Sequence, residues 1–347
     1  MTNSIPFQDV KDAVVIKRVT QGDLPSISSD ARMLLIQALC SIVGQCWNID
    51  PSQRPTAEES RKSINWMPMI IPNPVRTADA MGSADRSPEL LMKLGYMHRC
   101  QNDYPNASKH YAQALGIYTD IADSKGRARA LLELAHIHRV RNECSQAVTL
   151  YSECLQIQTD VGDRPGRASA LFGLAEVHRL RNEHNQAGTF YSECLQIWTE
   201  IGAKRGKADA LYGLAGVHLL RREYSQAIAC YSEAAQILTD TGDGQRKASA
   251  LCGLAMVHRH WKEYSQAMTF YSDALKIFAG SGDRFWRAFT LQGIGDVYCD
   301  QDDHSSAVHH YEQAAELFKQ IGRHDLEDSN LKQAANVRRL MEQKVVT

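Results

Sequence analysis

The sequence predicts an all-α protein: a solenoid of six helical hairpins, closed by one further helix and preceded by a small helical segment. Three observations carry this reading. Tyrosine returns every 40 residues, at Tyr111, Tyr151, Tyr191, Tyr231, Tyr271 and Tyr311. Alanine keeps the same step at Ala107, Ala147, Ala187, Ala227, Ala267 and Ala307, and so do Leu94, Leu134, Leu174, Leu214, Leu254 and Ile294. Within one unit the spacing is helical. Leu171, Leu174, Ala175 and His178 share one side of a first helix, and His184, Ala187, Tyr191, Cys194 and Leu195 share one side of a second. The polar Arg181-Asn182-Glu183 between them is the turn.

Residues 1–66 lack the 40-residue period. They contain Cys46-Trp47-Asn48-Ile49-Asp50-Pro51-Ser52-Gln53-Arg54-Pro55-Thr56. This string resembles the C-W-x-x-D-P-x-x-R-P segment that ends protein kinases of the tyrosine-kinase-like form. Pro6-Phe7, the helical stretch Val10 to Val19, Gly22 and Pro25 extend the likeness upstream, and Ala57 to Trp66 extends it downstream. The resemblance implies the last three helices of a kinase C-lobe. The Gly-rich loop, strand lysine, catalytic-loop aspartate and D-F-G that would position and stabilise a transferring phosphoryl group are absent from the sequence. The resemblance also implies that Arg54 lacks its usual activation-segment glutamate. The segment is therefore expected to be inactive as a kinase, and the chain is expected not to be an enzyme. Residues 67–86, with Pro68, Pro72, Pro74, Gly82 and Ser83, read as a linker.

Residues 87–321 are the six repeats. Small residues at Ala175, Ala187 and Cys194 let paired helices approach. Gly162-Asp163, Gly242-Asp243 and Gly282-Asp283 separate units: the glycine tolerates a left-handed helix end, and the aspartate caps the next helix. The set Leu171, Leu174, Ala175, His178, Ala187, Tyr191 and Cys194 resembles the tetratricopeptide repeat signature in a longer, 40-residue form, like the repeats of kinesin light chains and spindle-orientation scaffolds. Histidine takes the place of a family tyrosine in five units, and the family's closing proline is missing. The resemblance implies a right-handed superhelical solenoid that binds protein segments. Past Ile321 the period continues through Leu331, Ala334 and Ala335, so 322–347 reads as a capping helix and tail.

Composition narrows the function. The 39 basic and 40 acidic residues leave a net charge of −1, which disfavours nucleic-acid or membrane-surface binding. No stretch is apolar enough to span a bilayer, and no secretory h-region opens the chain. Nine cysteines without a C-x-x-C pair suit a reducing, cytoplasmic setting. The histidine series His98, His138, His178, His218 and His258 invites a metal, but one repeat should separate equivalent residues by about 8–10 Å or more. No metal or other cofactor is expected. The cysteines show no common base partner.

The stronger candidate is a groove. Turning about 100° per residue along the first helix of each unit places three rows on one arc, which in the resembling family lines the concave surface. The first row is Arg99, Arg139, Arg179, Leu219, Arg259 and Cys299. The second is Met92, Leu132, Phe172, Tyr212, Cys252 and Gln292. The third is Tyr96, His136, Glu176, Gly216, Met256 and Asp296. Arginines grip carboxylates in a bidentate way, so the arc suits an extended peptide with acidic and apolar side chains. The bland alternative is that these arginines are solvated or paired to Glu176 and its neighbours. A second basic row, Arg127, Arg167, Lys207, Lys247 and Arg287, is expected to pair with Asp120, Asp160, Glu200 and Asp240 near the turns. The functional expectation is a non-catalytic scaffold for a protein or peptide partner. The alternative is the partner-selecting part of a tyrosine-kinase-like signalling kinase.

Overall fold

The computed structural model describes residues 87–346, and all the described elements are helices. The kinase-like segment and the linker expected from the sequence lie outside the described residues. The chain divides into two units, Met1–His110 and Tyr111–Thr347. The helices alternate between a first (A) and a second (B) member of each hairpin. The A helices are α1 (Pro88–Cys100), α3 (Ser124–Val140), α5 (Arg164–Leu180), α7 (Lys204–Leu220), α9 (Gly244–His260) and α11 (Arg284–Asp300). The B helices are α2 (Tyr104–Asp120), α4 (Cys144–Val161), α6 (His184–Glu200), α8 (Tyr224–Asp240), α10 (Tyr264–Ser281) and α12 (His304–Gln320). Helix α13 (His324–Val346) closes the series. Among the described residues, no helix is long and apolar enough to cross a membrane.

Turn chemistry sets the boundaries. The carboxylates of Asp123, Asp163, Asp243 and Asp283 accept the N–H of Gly126, Gly166, Arg246 and Trp286 at the starts of α3, α5, α9 and α11. Each satisfies an N–H that the helix itself cannot. On the other side of these turns, Gly162, Gly242 and Gly282 hold φ of +73°, +71° and +71°, as glycine allows. Ala122 holds the equivalent place before α3 with φ +55°, where its Cβ is strained. Ala122→Gly should therefore stabilise the protein, by about 1 kcal/mol, read as a raised urea midpoint; an unchanged or lowered midpoint would refute the strain.

Packing follows the repeat. In the second unit, Tyr151, Tyr191, Tyr231 and Tyr271 of the B helices each lie against a glycine of the next A helix. A Cβ on Gly173, Gly213, Gly253 or Gly293 would come within 2.2, 2.3, 2.4 and 2.6 Å of the rings of Tyr151, Tyr191, Tyr231 and Tyr271. These rings are at most 4% exposed, so they cannot swing away. The alanine series at 147, 187, 227, 267 and 307 is fully buried and gives the hairpins their close approach. Ala334 and Val337 of α13 join Ala307, Val308 and Tyr311 of α12 in one cluster. The last apolar face of α12 is thereby covered.

The turn-adjacent basic row pairs differently from the expectation. Arg127 meets Glu153 at 2.5 Å and Lys207 meets Glu233 at 2.6 Å, while Glu200 pairs with Arg164. The antiparallel B helix of the same hairpin brings its C-terminal half beside the start of the A helix, nearer than the acid of the preceding turn. These pairs are half exposed, so each contributes about 1 kcal/mol or less.

Candidate functional site

The described part of the first unit holds Met92, Tyr96 and Arg99, and Met92 is buried. Tyr96 is exposed, and the Arg99 guanidinium lies 5.0 Å from its ring centroid. All other expected groove residues belong to the second unit, on A helices that touch one another in sequence order.

Glu176 is the hub of the arc on α3 and α5. Its carboxylate accepts from Arg179 at 2.9 and 3.4 Å and from Arg139 at 3.5 Å, and the Tyr191 hydroxyl of α6 donates to it as well. Arg139 also reaches His136 Nδ1 at 3.1 Å. The Glu176 side chain is only 15% exposed. Burial alone would raise its pKa, but the Arg179 hydrogen bonds and charge, the Tyr191 hydroxyl and the Arg139 charge together hold it below the usual carboxylate range. Two guanidiniums thus share the Glu176 carboxylate.

The other end inverts this balance. Arg259 on α9 donates to Asp296 and to Asp300 of α11, each at 2.6 Å, and the Tyr311 hydroxyl donates to Asp296 at 2.7 Å. Here one guanidinium serves two carboxylates. Burial, opposed by Arg259 and Tyr311, raises the Asp296 pKa above the ordinary value. Between the two clusters the arc is uncharged. Phe172 packs edge-on against Tyr191 with ring centroids 5.7 Å apart. Tyr212, 36% exposed, does the same against Tyr231 at 5.3 Å. Met256 is half-buried among Cys252, Tyr271 and their neighbours. Leu180 and Leu220 stand 41% and 56% exposed at the ends of α5 and α7.

The arginines of the second unit are therefore held in an ion-pair network rather than standing free. The acids at 296 and 300 and the tyrosine hydroxyls belong to that network as much as the arginines do. The readable signal is the 15-residue step from Glu176 to Tyr191, repeated from Asp296 to Tyr311.

The histidine series is structural in its contacts. Each Nδ1 meets the acid five residues later: His98 with Asp103 at 2.9 Å, His138 with Glu143 at 2.6 Å, His178 with Glu183 at 2.5 Å, His218 with Glu223 at 2.5 Å and His258 with Glu263 at 2.6 Å. Three of the rings also stack on residue i+12 at 5.3 Å, on His110, Phe190 and Phe270. Among the described residues, no three metal-ligating side chains gather around one point. Burial pushes the Cys154 and Cys194 thiols up to about 12 and Cys252 up to about 11, the opposite of what a nucleophilic thiolate needs.

The tetratricopeptide repeat family matches the chain in overlapping windows, residues 86–160, 126–200, 166–240, 206–280 and 247–320. No curated protein matches it. Among solved structures, the Rap protein complexed with competence and sporulation factor is 14% identical, with a TM-score of 0.60 over 96% of this chain and 93% of that one. The apo form of RapI is 14% identical, with a TM-score of 0.56 over 74% of this chain and 99% of that one. The Cut9–Hcn1 complex is 16% identical, with a TM-score of 0.55 over 71% of this chain and 44% of that one. At these identities the structures share the fold. The family match spans well over half of the sequence, and the chain belongs to the tetratricopeptide repeat family.

Proposed function

We propose that this tetratricopeptide repeat chain is a non-catalytic scaffold. It takes an extended, acidic and apolar segment of a protein partner along the A-helix arc of its second unit, the arc that the family turns into its concave groove. The observation that carries this reading is the sharing of Glu176 by Arg139 and Arg179, beside the exposed ring of Tyr212. An incoming carboxylate accepts from Arg179 there, and apolar side chains cover Tyr212 and Leu220. The Arg259 end already carries two acids, so the acidic residue of the partner belongs on the side of Arg179. Of the structures with this fold, the Rap protein holds its competence and sporulation factor and Cut9 stands in a complex with Hcn1, in keeping with a binding role. Reading the chain as the partner-selecting part of a kinase rests on residues 1–66 alone.

The test is selection of random 12-residue displayed peptides on the full chain, followed by affinity measurements on an Arg139→Gln/Tyr212→Ser variant that keeps its circular dichroism. At least tenfold weaker binding of the selected peptides is expected, from the loss of a charge-assisted contact and of aromatic area. Unchanged affinity would remove the arc from the account.

A further inference from the structure

Resting on that reading, the repeats themselves show where an acidic side chain would seat. Two of the A helices carry an internal clamp of one pattern. An arginine of the preceding A helix, an acid 37 residues later and a tyrosine hydroxyl 15 residues beyond the acid come together: Arg139, Glu176 and Tyr191, then Arg259, Asp296 and Tyr311. Where the arginine is replaced by Leu219, the acid is replaced by Met256, while Tyr271 keeps the tyrosine place. Two sets keep the arginine and the tyrosine but lack the acid: Arg99 and Tyr151, with His136 in the acid's place, and the set completed by the hairpin of α7 and α8. In the latter, Arg179 and Tyr231 are both in place, yet the residue where the acid should stand is Gly216.

The gap is physical. A Cβ on Gly216 would meet only the Tyr231 hydroxyl, at 3.7 Å. Tyr231 is 4% exposed, and its hydroxyl makes no hydrogen bond among the described residues, whereas the equivalent hydroxyls of Tyr191 and Tyr311 each reach a carboxylate. Arg179 is the cation whose charge acts on the Tyr231 phenol, against the burial that raises its pKa. It is also one of the two guanidiniums that share Glu176. Tyr212 and Leu220 stand exposed beside the gap.

We propose that the gap at Gly216 is a carboxylate subsite, in which a glutamate or aspartate side chain of the partner segment takes the place of the missing acid. It accepts from the Tyr231 hydroxyl and from Arg179, as Glu176 accepts from Tyr191 and Arg139 one repeat earlier. The neighbouring residues of the segment lie on Tyr212 and Leu220.

The test uses the full chain and 12-residue peptides selected from a display library, with affinities read by fluorescence anisotropy. Replacing the conserved acid of a selected peptide by its amide should weaken binding roughly ten- to hundredfold, the range for a charged hydrogen-bonded contact. Tyr231→Phe should weaken it several-fold. Gly216→Ala should leave it within about threefold, because the Cβ makes only an ordinary contact, 3.7 Å from the Tyr231 hydroxyl. Gly216→Glu should abolish it while leaving the melting temperature unchanged or raised, because the chain then supplies its own acid in a helical position where glycine is costly. Peptides that need Tyr212 but ignore both Gly216→Glu and their own acid-to-amide change would overturn the subsite and leave the groove standing. Peptides indifferent to Tyr212 and Arg139 as well would overturn both. Glutarate displacing the peptides at equal concentration would show a free carboxylate as the occupant and overturn the partner segment.

Discussion

Tyr191→Ala should cost about 4 kcal/mol, the range for removing a large buried aromatic ring. Gly213→Ala, usually a gain of about 1 kcal/mol in a helix interior, should instead cost about 1–2 kcal/mol here. The added Cβ would come within 2.3 Å of the Tyr191 ring, and overpacking in a core that cannot yield outweighs the propensity gain. The two changes are coupled. In a Tyr191→Ala background the ring is gone, and Gly213→Ala should change sign and stabilise. Urea denaturation of the four species of the cycle, followed by circular dichroism, measures this. A destabilising Gly213→Ala in both backgrounds would mean that the tyrosine ring is not what the glycine makes room for.

Glu176→Gln should destabilise the protein at neutral pH by about 2 kcal/mol, the scale of a hydrogen-bonded charged contact. It leaves Arg139 and Arg179 without their common counter-charge in a site only 15% exposed on the acid side. The pH dependence follows from the direction of the shift. The folded pKa of Glu176 lies below its ordinary value, so its contribution is full above about pH 4.5 and is lost as pH falls through the folded pKa. The gap between wild type and Glu176→Gln should persist down to about pH 4.5 and close only as pH falls through the lowered folded pKa of Glu176. Asp296 has the opposite sign. Burial raises its pKa, so ionisation works against folding above that value, and Asp296→Asn should cost less than Glu176→Gln at neutral pH although each acid accepts from an arginine of the preceding A helix and from a tyrosine hydroxyl. Equal losses in the two variants would show that the ratio of guanidiniums to carboxylates does not govern these clusters.

The contrast between these two acids shows where sequence reading stops. The 40-residue series of Tyr111 to Tyr311 and Ala107 to Ala307 is enough to predict paired helices, because a buried face must recur with the unit that buries it. The aspartate caps at 163, 243 and 283 were legible for the same reason: a cap acts within three residues. The histidine series was placed correctly in a packing slot, and its acid five residues on was there to be seen. Pairing of the arginines with Glu176 could be read only as an alternative to a free row, and the remaining contacts between hairpins could not be read. Glu176 serves an arginine 37 residues before it and a tyrosine 15 residues after it, and nothing local distinguishes that acid from a solvated one. Gly173, Gly213, Gly253 and Gly293 form a series as regular as the tyrosines. A mid-helix glycine reads as a weak point until the ring that presses on it is known. The basic row at Arg127 and Lys207 paired within its own hairpin because antiparallel helices bring distant residues closer than the chain's turns do.

The charge pattern of the arc bears on specificity more than on raw affinity. In the proposed binding mode, two arginines sharing one acid at one end, and two acids sharing one arginine at the other, would give a bound segment a preferred direction. In that mode the apolar area around Tyr212 and Leu220 would supply the anchor between them.

The most direct measurement is a crystal structure of the full chain with a peptide selected on it. The account predicts the peptide extended across α3, α5 and α7, in contact with Arg139, Tyr212 and Leu220. A peptide seated instead on the B-helix side, in the groove of about 810 Å³ lined by Ser272, Leu275, His309 and Glu316, would contradict it.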